Sequence, residues 1–167
     1  MAYKVIDIAN QLLVKAYRAS DGELMTNLKL QKMLYYQQGF HLAYFGTPLF
    51  DDEIEAWMYG PVVPSVYNHY KGNGRNGIIP DNEIKFSFED RKEEALFNEV
   101  YKVYGKYSAT GLMNMTHNES PWISTPRGEG NVISKDKLTS FFKSRLKLNL
   151  IMERKSRKRR LIKKMMI

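Results

Sequence analysis

The chain has 167 residues, 43% of them hydrophobic and 26% charged, with 26 Lys and Arg against 18 Asp and Glu for a net charge of +8. That length favours one domain burying roughly 70% of its unfolded surface, and the composition is that expected of a soluble globular protein rather than a disordered one. No stretch approaches the ~20 apolar residues of a membrane helix, the N-terminal segment lacks a signal peptide's apolar core, and zero cysteines exclude disulfides, thiolate zinc sites and thiol catalysis, as fits a cytoplasmic location.

Residues 3–18 set Ile6, Ala9, Leu12, Leu13, Ala16 and Tyr17 at helical spacing, which predicts an amphipathic first helix broken by Ser20-Asp21-Gly22. Thr26 or Asn27 can cap a second helix running through Leu30, Met33, Leu34, Gln37, His41 and Phe45 to a stop at Gly46 and Pro48. Gly39 inside it costs about 1 kcal/mol relative to Ala, which points to a close helix contact there. His41 falls on the apolar stripe, where a hydrogen-bonded core histidine is the simpler reading than a ligand. From Glu53 to Tyr59 the period shortens to two, with Ile54, Ala56 and Met58 opposite Glu55, Trp57 and Tyr59, as in a short strand ended by Gly60-Pro61. Pro64 suits the first turn of a helix carrying Val66, Tyr67 and Tyr70, and 71–81 reads as a surface loop.

Ser87 and Asp90 form a capping-box pattern before a helix to about Tyr104, whose stripes Leu96-Val100-Val103 and Phe97-Tyr101-Tyr104 predict a wide buried face. A shorter helix runs from Ser108 to His117. Trp122 follows as an apolar anchor in irregular chain, and Asn131-Val132-Ile133 reads as a second strand pairing with 53–59. Ser134 caps a last helix with Leu138, Phe141, Phe142 and Leu146. The fold expected is mainly α, a compact bundle of about six helices with a minimal two-stranded sheet. Residues 1–147 form the domain, and 148–167 a basic tail, either extended helix or disordered.

The charge is unevenly placed. Residues 143–167 hold 11 Lys and Arg and only Glu153 as an acid, net +10, leaving 1–142 with 15 basic and 17 acidic residues, net −2. Arg154, Lys155, Arg157, Lys158, Arg159 and Arg160 would attract phosphates or acidic surfaces in a salt-dependent way. They lack aromatic neighbours for base stacking, and a solvated extension of the last helix is the plainer reading.

The catalytic inventory is sparse. The only histidines are His41, His69 and His117, with no His-Glu-x-x-His pattern, nucleophile elbow or Walker loop. Gly72-Asn73-Gly74-Arg75-Asn76-Gly77 matches Gly-x-Gly-x-x-Gly without the preceding buried strand that a dinucleotide site needs, so a flexible turn is expected. Asp51-Asp52-Glu53 is read as a solvated lead-in to the strand rather than a cation site, and the triplets at Asn114 and Asn118 as chance matches to a glycosylation pattern. No enzyme, cofactor or metal is expected.

One pattern is more specific. Leu28-Lys29-Leu30-Gln31-Lys32-Met33-Leu34-Tyr35-Tyr36, then Ala56-Trp57-Met58-Tyr59-Gly60-Pro61-Val62, then the helix around Tyr67, resembles the Panacea domain of SocA-like antitoxins, whose phage-associated members are labelled GepA-like. Thr116-His117, Pro121-Trp122 and Val132-Ile133-Ser134 are similar to the family's weaker later motifs. The resemblance spans about Tyr3 to Leu146 and is strongest over 26–70. Met58 departs from it, standing where a basic residue is expected. The resemblance implies a helical antitoxin that neutralises a toxin encoded nearby by direct contact, with hand-off to a ClpXP-type protease as a variant; it leaves the tail unexplained. Tyr and Trp are favoured at binding hot spots, so Trp57, Tyr59, Tyr67, Tyr70 and Trp122 are the candidate partner-binding residues, with a core role as the alternative for each. The competing function is a nucleic-acid-associated phage or operon regulator working through the tail.

Overall fold

In the computed structural model, which describes residues 2–19 and 22–166, the second helix is the axis around which the rest is arranged. Helix α1 (Val5–Arg18) buries Ile8, Ala9, Leu12, Leu13 and Ala16. Tyr17, expected on that stripe, is exposed instead, because it lies past the turn that packs. Of the expected break at 20–22, Ser20 and Asp21 lie outside the described residues.

Helix α2 (Asn27–Phe45) begins at Thr26, whose hydroxyl accepts from Lys29 N, and ends at Gly46. From Leu30 to Leu42 every residue is buried, so polar side chains on this helix must find partners inside the protein. Gln31 donates to Asn27 Oδ1 at 2.8 Å and accepts from Val63 N at 2.9 Å. Gln37 donates to Phe97 O at 3.0 Å. Gln38 donates to Phe50 O and accepts from Leu49 N. His41 is buried between Thr47 O and a Glu93 carboxylate oxygen, each 2.6 Å away, the core role expected of it. A Cβ on Gly39 would enter the ring of Phe142; the predicted close contact is with the last helix.

The sheet has three strands in the order β2-β1-β3. β1 (Ile54–Trp57) pairs antiparallel with β3 (Val132–Ile133), Ile54 opposite Ile133, as the alternation predicted. The added strand is β2 (Gly60–Val62), antiparallel to β1 with Trp57 opposite Gly60 and Glu55 opposite Val62. Gly60-Pro61 therefore turns the chain back rather than ending the sheet. Met58 and Tyr59 form the tip of this hairpin, and Gly60 supplies its positive φ of 106°.

Helix α3 (Pro64–Tyr70) opens on proline as expected and passes into a single 3-10 turn at Lys71–Asn73. The glycine-rich stretch is turn and bend, tied back by Ile78 N to Met25 O. Helix α4 (Arg91–Tyr104) starts at Asp90, whose carboxylate accepts from Lys92 N at 2.7 Å, one turn later than the Ser87 capping box implies. It buries Phe97, Val100 and Tyr104 and leaves Val103 exposed. Helix α5 (Ala109–His117) is capped by Ser108. A short α6 (Ser120–Ile123) carries Trp122, where irregular chain was expected. Helix α7 (Lys135–Met165) is capped by Ser134 and runs 31 residues without interruption. Its first three turns insert Leu138 and Phe142 into the core. No described helix is long and apolar enough to cross a membrane.

Candidate partner-docking site

The residues that the sequence groups around the strand-to-helix turn are divided by the fold. Trp57, at the end of β1, is half-buried; its indole N–H donates to Glu55 Oε1 at 3.2 Å and its ring meets Tyr67 edge-on, with centroids 5.0 Å apart. Tyr67, in the middle of α3, is partly exposed. Tyr59 at the hairpin tip is 64% exposed and Met58 beside it 71%. Met58 was expected on the same strand face as Ile54 and Ala56, which are buried; the chain leaves the strand before reaching it, so the side chain faces solvent. Tyr70 lies one helical turn beyond Tyr67 and is buried against the core, so it adds no exposed surface to this group.

Trp122 lies elsewhere, bonded to the hairpin from α6. Its indole N–H donates to Trp57 O at 2.8 Å, His117 stacks on its ring with centroids 4.1 Å apart, and the Arg127 guanidinium covers that ring at 3.5 Å. This sandwich fixes the position of the hairpin. The tail cations Arg154, Lys155, Arg157, Lys158, Arg159 and Arg160 are all exposed along α7, far along the helix from the turns that enter the core. Of the acidic lead-in, Asp52 accepts from Ser65 Oγ at 2.7 Å and Glu53 lies 3.7 Å from Lys135 Nζ.

A groove of about 800 Å³ opens between α2, the hairpin and α3, with Trp57, Met58, Tyr59 and Tyr67 among its walls and Lys71 and Arg75 at its rim. Lys32 also lines it. This residue is fully buried, and its ammonium donates to Pro61 O at 3.0 Å. Burial pushes its pKa down to about 7. A Cβ at Gly60 would fall 2.6 Å from Lys32 Cε and 2.9 Å from Thr116 Oγ1, so the bare glycine backbone is what lets the hairpin lie on the lysine stem. His117 completes the region: its Nε2 is buried without a hydrogen-bond partner, and burial together with the Lys32 charge holds its pKa down.

A second buried charge lies deeper. Glu119 accepts from the hydroxyls of Tyr35 and Tyr36, at 3.0 Å each, and faces Arg145 at 3.4 Å. Its pKa is raised by burial. With Tyr36 stacked on Tyr104 at 4.1 Å, this network joins α2, α4, α7 and the start of α6, and its role is to hold the bundle together.

Neither Lys32 nor Glu119 was among the candidate site residues. Lys32 lies within the Leu-x-Leu-Gln-Lys run that carries the resemblance, flanked by Leu30, Met33 and Leu34 but beside the equally polar Gln31, so nothing local set it apart.

Residues 30–123, which include most of α2, the hairpin, α3 and the helices through α6, match the family described as antitoxin SocA-like, Panacea domain. The chain belongs to this family. It is 33% identical over 135 residues to antitoxin SocA of Caulobacter vibrioides (strain NA1000 / CB15N), an alignment covering 74% of this chain and 70% of that protein. No solved structure matches the chain. The matched region thus contains most of the groove's lining, Lys32, and Trp122 with the His117 stacked on it, and it ends before Arg127 and α7.

Proposed function

We propose that this Panacea-domain protein is the antitoxin of a toxin–antitoxin pair and neutralises a toxin encoded beside it by direct binding, through the hairpin tip and the groove it borders. The observation that carries the reading is the pair Met58-Tyr59, two large side chains held in solvent on a two-residue turn that is itself anchored on both sides, by Lys32 and by Trp122. A rigid support spares backbone ordering on docking, and exposed aromatic and methionine side chains are enriched at interface cores, which favours them as contact residues. Trp57 and Tyr67 border the same surface, and the role follows without any catalytic group, in a cytoplasmic setting.

Co-expression with the adjacent gene tests this. Wild-type protein is expected to restore growth and to form a complex on size-exclusion chromatography. Met58→Asp combined with Tyr59→Ala is expected to lose both while keeping its thermal melt. An adjacent product that is harmless alone and forms no complex overturns the reading. Hand-off to a ClpXP-type protease is a variant of the same function: toxin half-life would then shorten when antitoxin is present, and only while that protease is active.

A second reading attaches to the tail. Exposed Arg and Lys residues along a continuous helix suit a nucleic-acid-associated regulator. In that case deletion of the tail removes DNA or RNA binding, and the binding that wild-type protein shows weakens steeply with salt.

A further inference from the structure

Ahead of α4 lies a stretch with the period of a strand and no partner. Ile84, Phe86 and Phe88 are half-buried while Lys85 and Ser87 face solvent, and Tyr3 meets the rings of Phe86 and Phe88 edge-on, at 5.4 Å each. Side chains that alternate in this way belong to an extended backbone. Yet the stretch joins none of β1, β2 and β3, and among the described residues no hydrogen bond engages the backbone of Lys85, Phe86, Ser87 or Phe88. An unpaired extended backbone is a template for another strand.

Space for one lies alongside. Two open cavities, of about 490 and 460 Å³, lie between this stretch and α1. Ile84 and Lys85 line the first and Ser87 and Phe88 the second, while Gln11, Val14, Arg18 and Phe86 line both, so the two form one trough. Where they join, Arg18 is the one charge. It is exposed and has no ion-pair or hydrogen-bond partner among the described residues. Of the carboxylates in the trough, Asp81 and Glu94, neither borders both cavities, and that of Asp81 already accepts from Glu83 N at 2.9 Å. The trough shares no lining residue with the hairpin groove.

We propose that this trough is a second docking surface, where an extended segment of the partner toxin adds as a strand beside residues 84–88. The segment's backbone pairs with those free N–H and C=O groups that face the trough. Two apolar side chains on its inner face enter the two cavities, and an Asp or Glu midway between them meets Arg18. The toxin as source rests on the antitoxin reading, whereas the strand chemistry rests on the trough's own residues. A second copy of this chain offering the same stretch fits less well, because the Phe86 and Phe88 rings on its inner face are already packed on its own Tyr3.

The test titrates acetyl-Thr-Leu-Thr-Glu-Thr-Leu-Thr-amide into full-length protein and reads hydrogen exchange at the amides of residues 85–88. Alternate amides among these four are expected to gain protection, since successive N–H groups of a strand point to opposite edges. Two backbone-methylated forms separate strand pairing from simple filling of the trough. N-methylation at the leucines and glutamate, or instead at the two central threonines, blocks one edge of the peptide each. One form is expected to lose about tenfold or more in affinity and the other to bind like the parent. The Gln counterpart is expected to bind about threefold more weakly to wild type and equally with the Glu peptide to Arg18→Gln, as an exposed ion pair allows. No binding of the parent peptide, no protection at residues 85–88, or equal effects of the two methylation patterns overturns the proposal; equal binding of the Glu and Gln peptides to wild type overturns the Arg18 contact.

With the adjacent gene's protein in place of the peptide, the same alternate protection supports the proposal. A stable complex without it overturns the proposal and leaves the antitoxin reading standing. If no complex forms, that reading falls and the peptides alone decide the trough.

Discussion

A lysine that folds into a dry site gives up part of its affinity for a proton, and that loss can be read in the stability of the whole protein. Lys32 titrates near 7 in the folded state against 10.5 when unfolded. Between those values the unfolded chain binds more protons, so stability rises with pH across that window and is lost as pH falls through about 7. The expected slope is up to about 1.4 kcal/mol per pH unit, measured by chemical denaturation between pH 7 and 10. Lys32→Met is the reference, since it removes this slope; it also lifts the Lys32 charge from His117, whose pKa is held below its ordinary value and so outside this window. At Gly39 two effects oppose each other. Alanine would improve helix propensity by about 1 kcal/mol, but its Cβ would enter the Phe142 ring, and overpacking of a filled core costs about 1–3 kcal/mol. Gly39→Ala is therefore expected to lower the denaturation midpoint despite the better helix former. The sequence made Gly39 and His41 legible because each interrupts an apolar stripe. It hid Lys32 because a helix buried on every side has no polar face against which a charged residue looks misplaced. Tyr67 and Tyr70 were indistinguishable for a related reason: both are tyrosines on one short helix, and only packing decides which of them faces the core.

Helix ends were easier to read than strands because caps are local chemistry. Thr26, Ser108 and Ser134 each accept a hydrogen bond from a backbone N–H three residues on, which needs nothing from the rest of the chain. The α4 cap moved from Ser87 to Asp90 because the pattern offered two acceptors one turn apart. β2 was missed for the opposite reason. Gly60 and Pro61 are punctuation in a linear reading, yet here the glycine supplies the positive φ of the turn and the proline carbonyl holds Lys32. The hairpin therefore depends on Gly60 twice, once for its backbone and once for the space over the lysine stem. Gly60→Ala is expected to cost roughly 2 kcal/mol or more, adding backbone strain of about 1 kcal/mol to a steric clash of about 1–3 kcal/mol. Its signature would be early loss of amide protection at Glu55 and Val62, before the helices exchange. Protection at those two amides equal to that of the α2 core would show that the hairpin does not need the glycine.

At the scale of the whole molecule the net charge of +8 belongs to one end of one helix. Residues 1–142 carry net −2, and it is within them that the Panacea match, the groove and the hairpin lie. The exposed half of α7 adds no described side chain to the core, so the energetic argument and the electrostatic one separate cleanly. Removing residues 148–167 takes away eight Lys and Arg with Glu153 and lowers the net charge from +8 to +1. Because the described side chains among them are exposed, the truncated protein is expected to keep its denaturation midpoint to within about 0.5 kcal/mol. Docking through the hairpin and groove predicts that toxin neutralisation survives this truncation. Retention on a polyanionic column is expected to fall sharply, and with it any salt-dependent association with nucleic acid, since each lost phosphate contact reduces the salt slope by about 0.9. Neutralisation that disappears with the tail, in a protein whose melt is unchanged, would transfer the partner contact from the groove to α7.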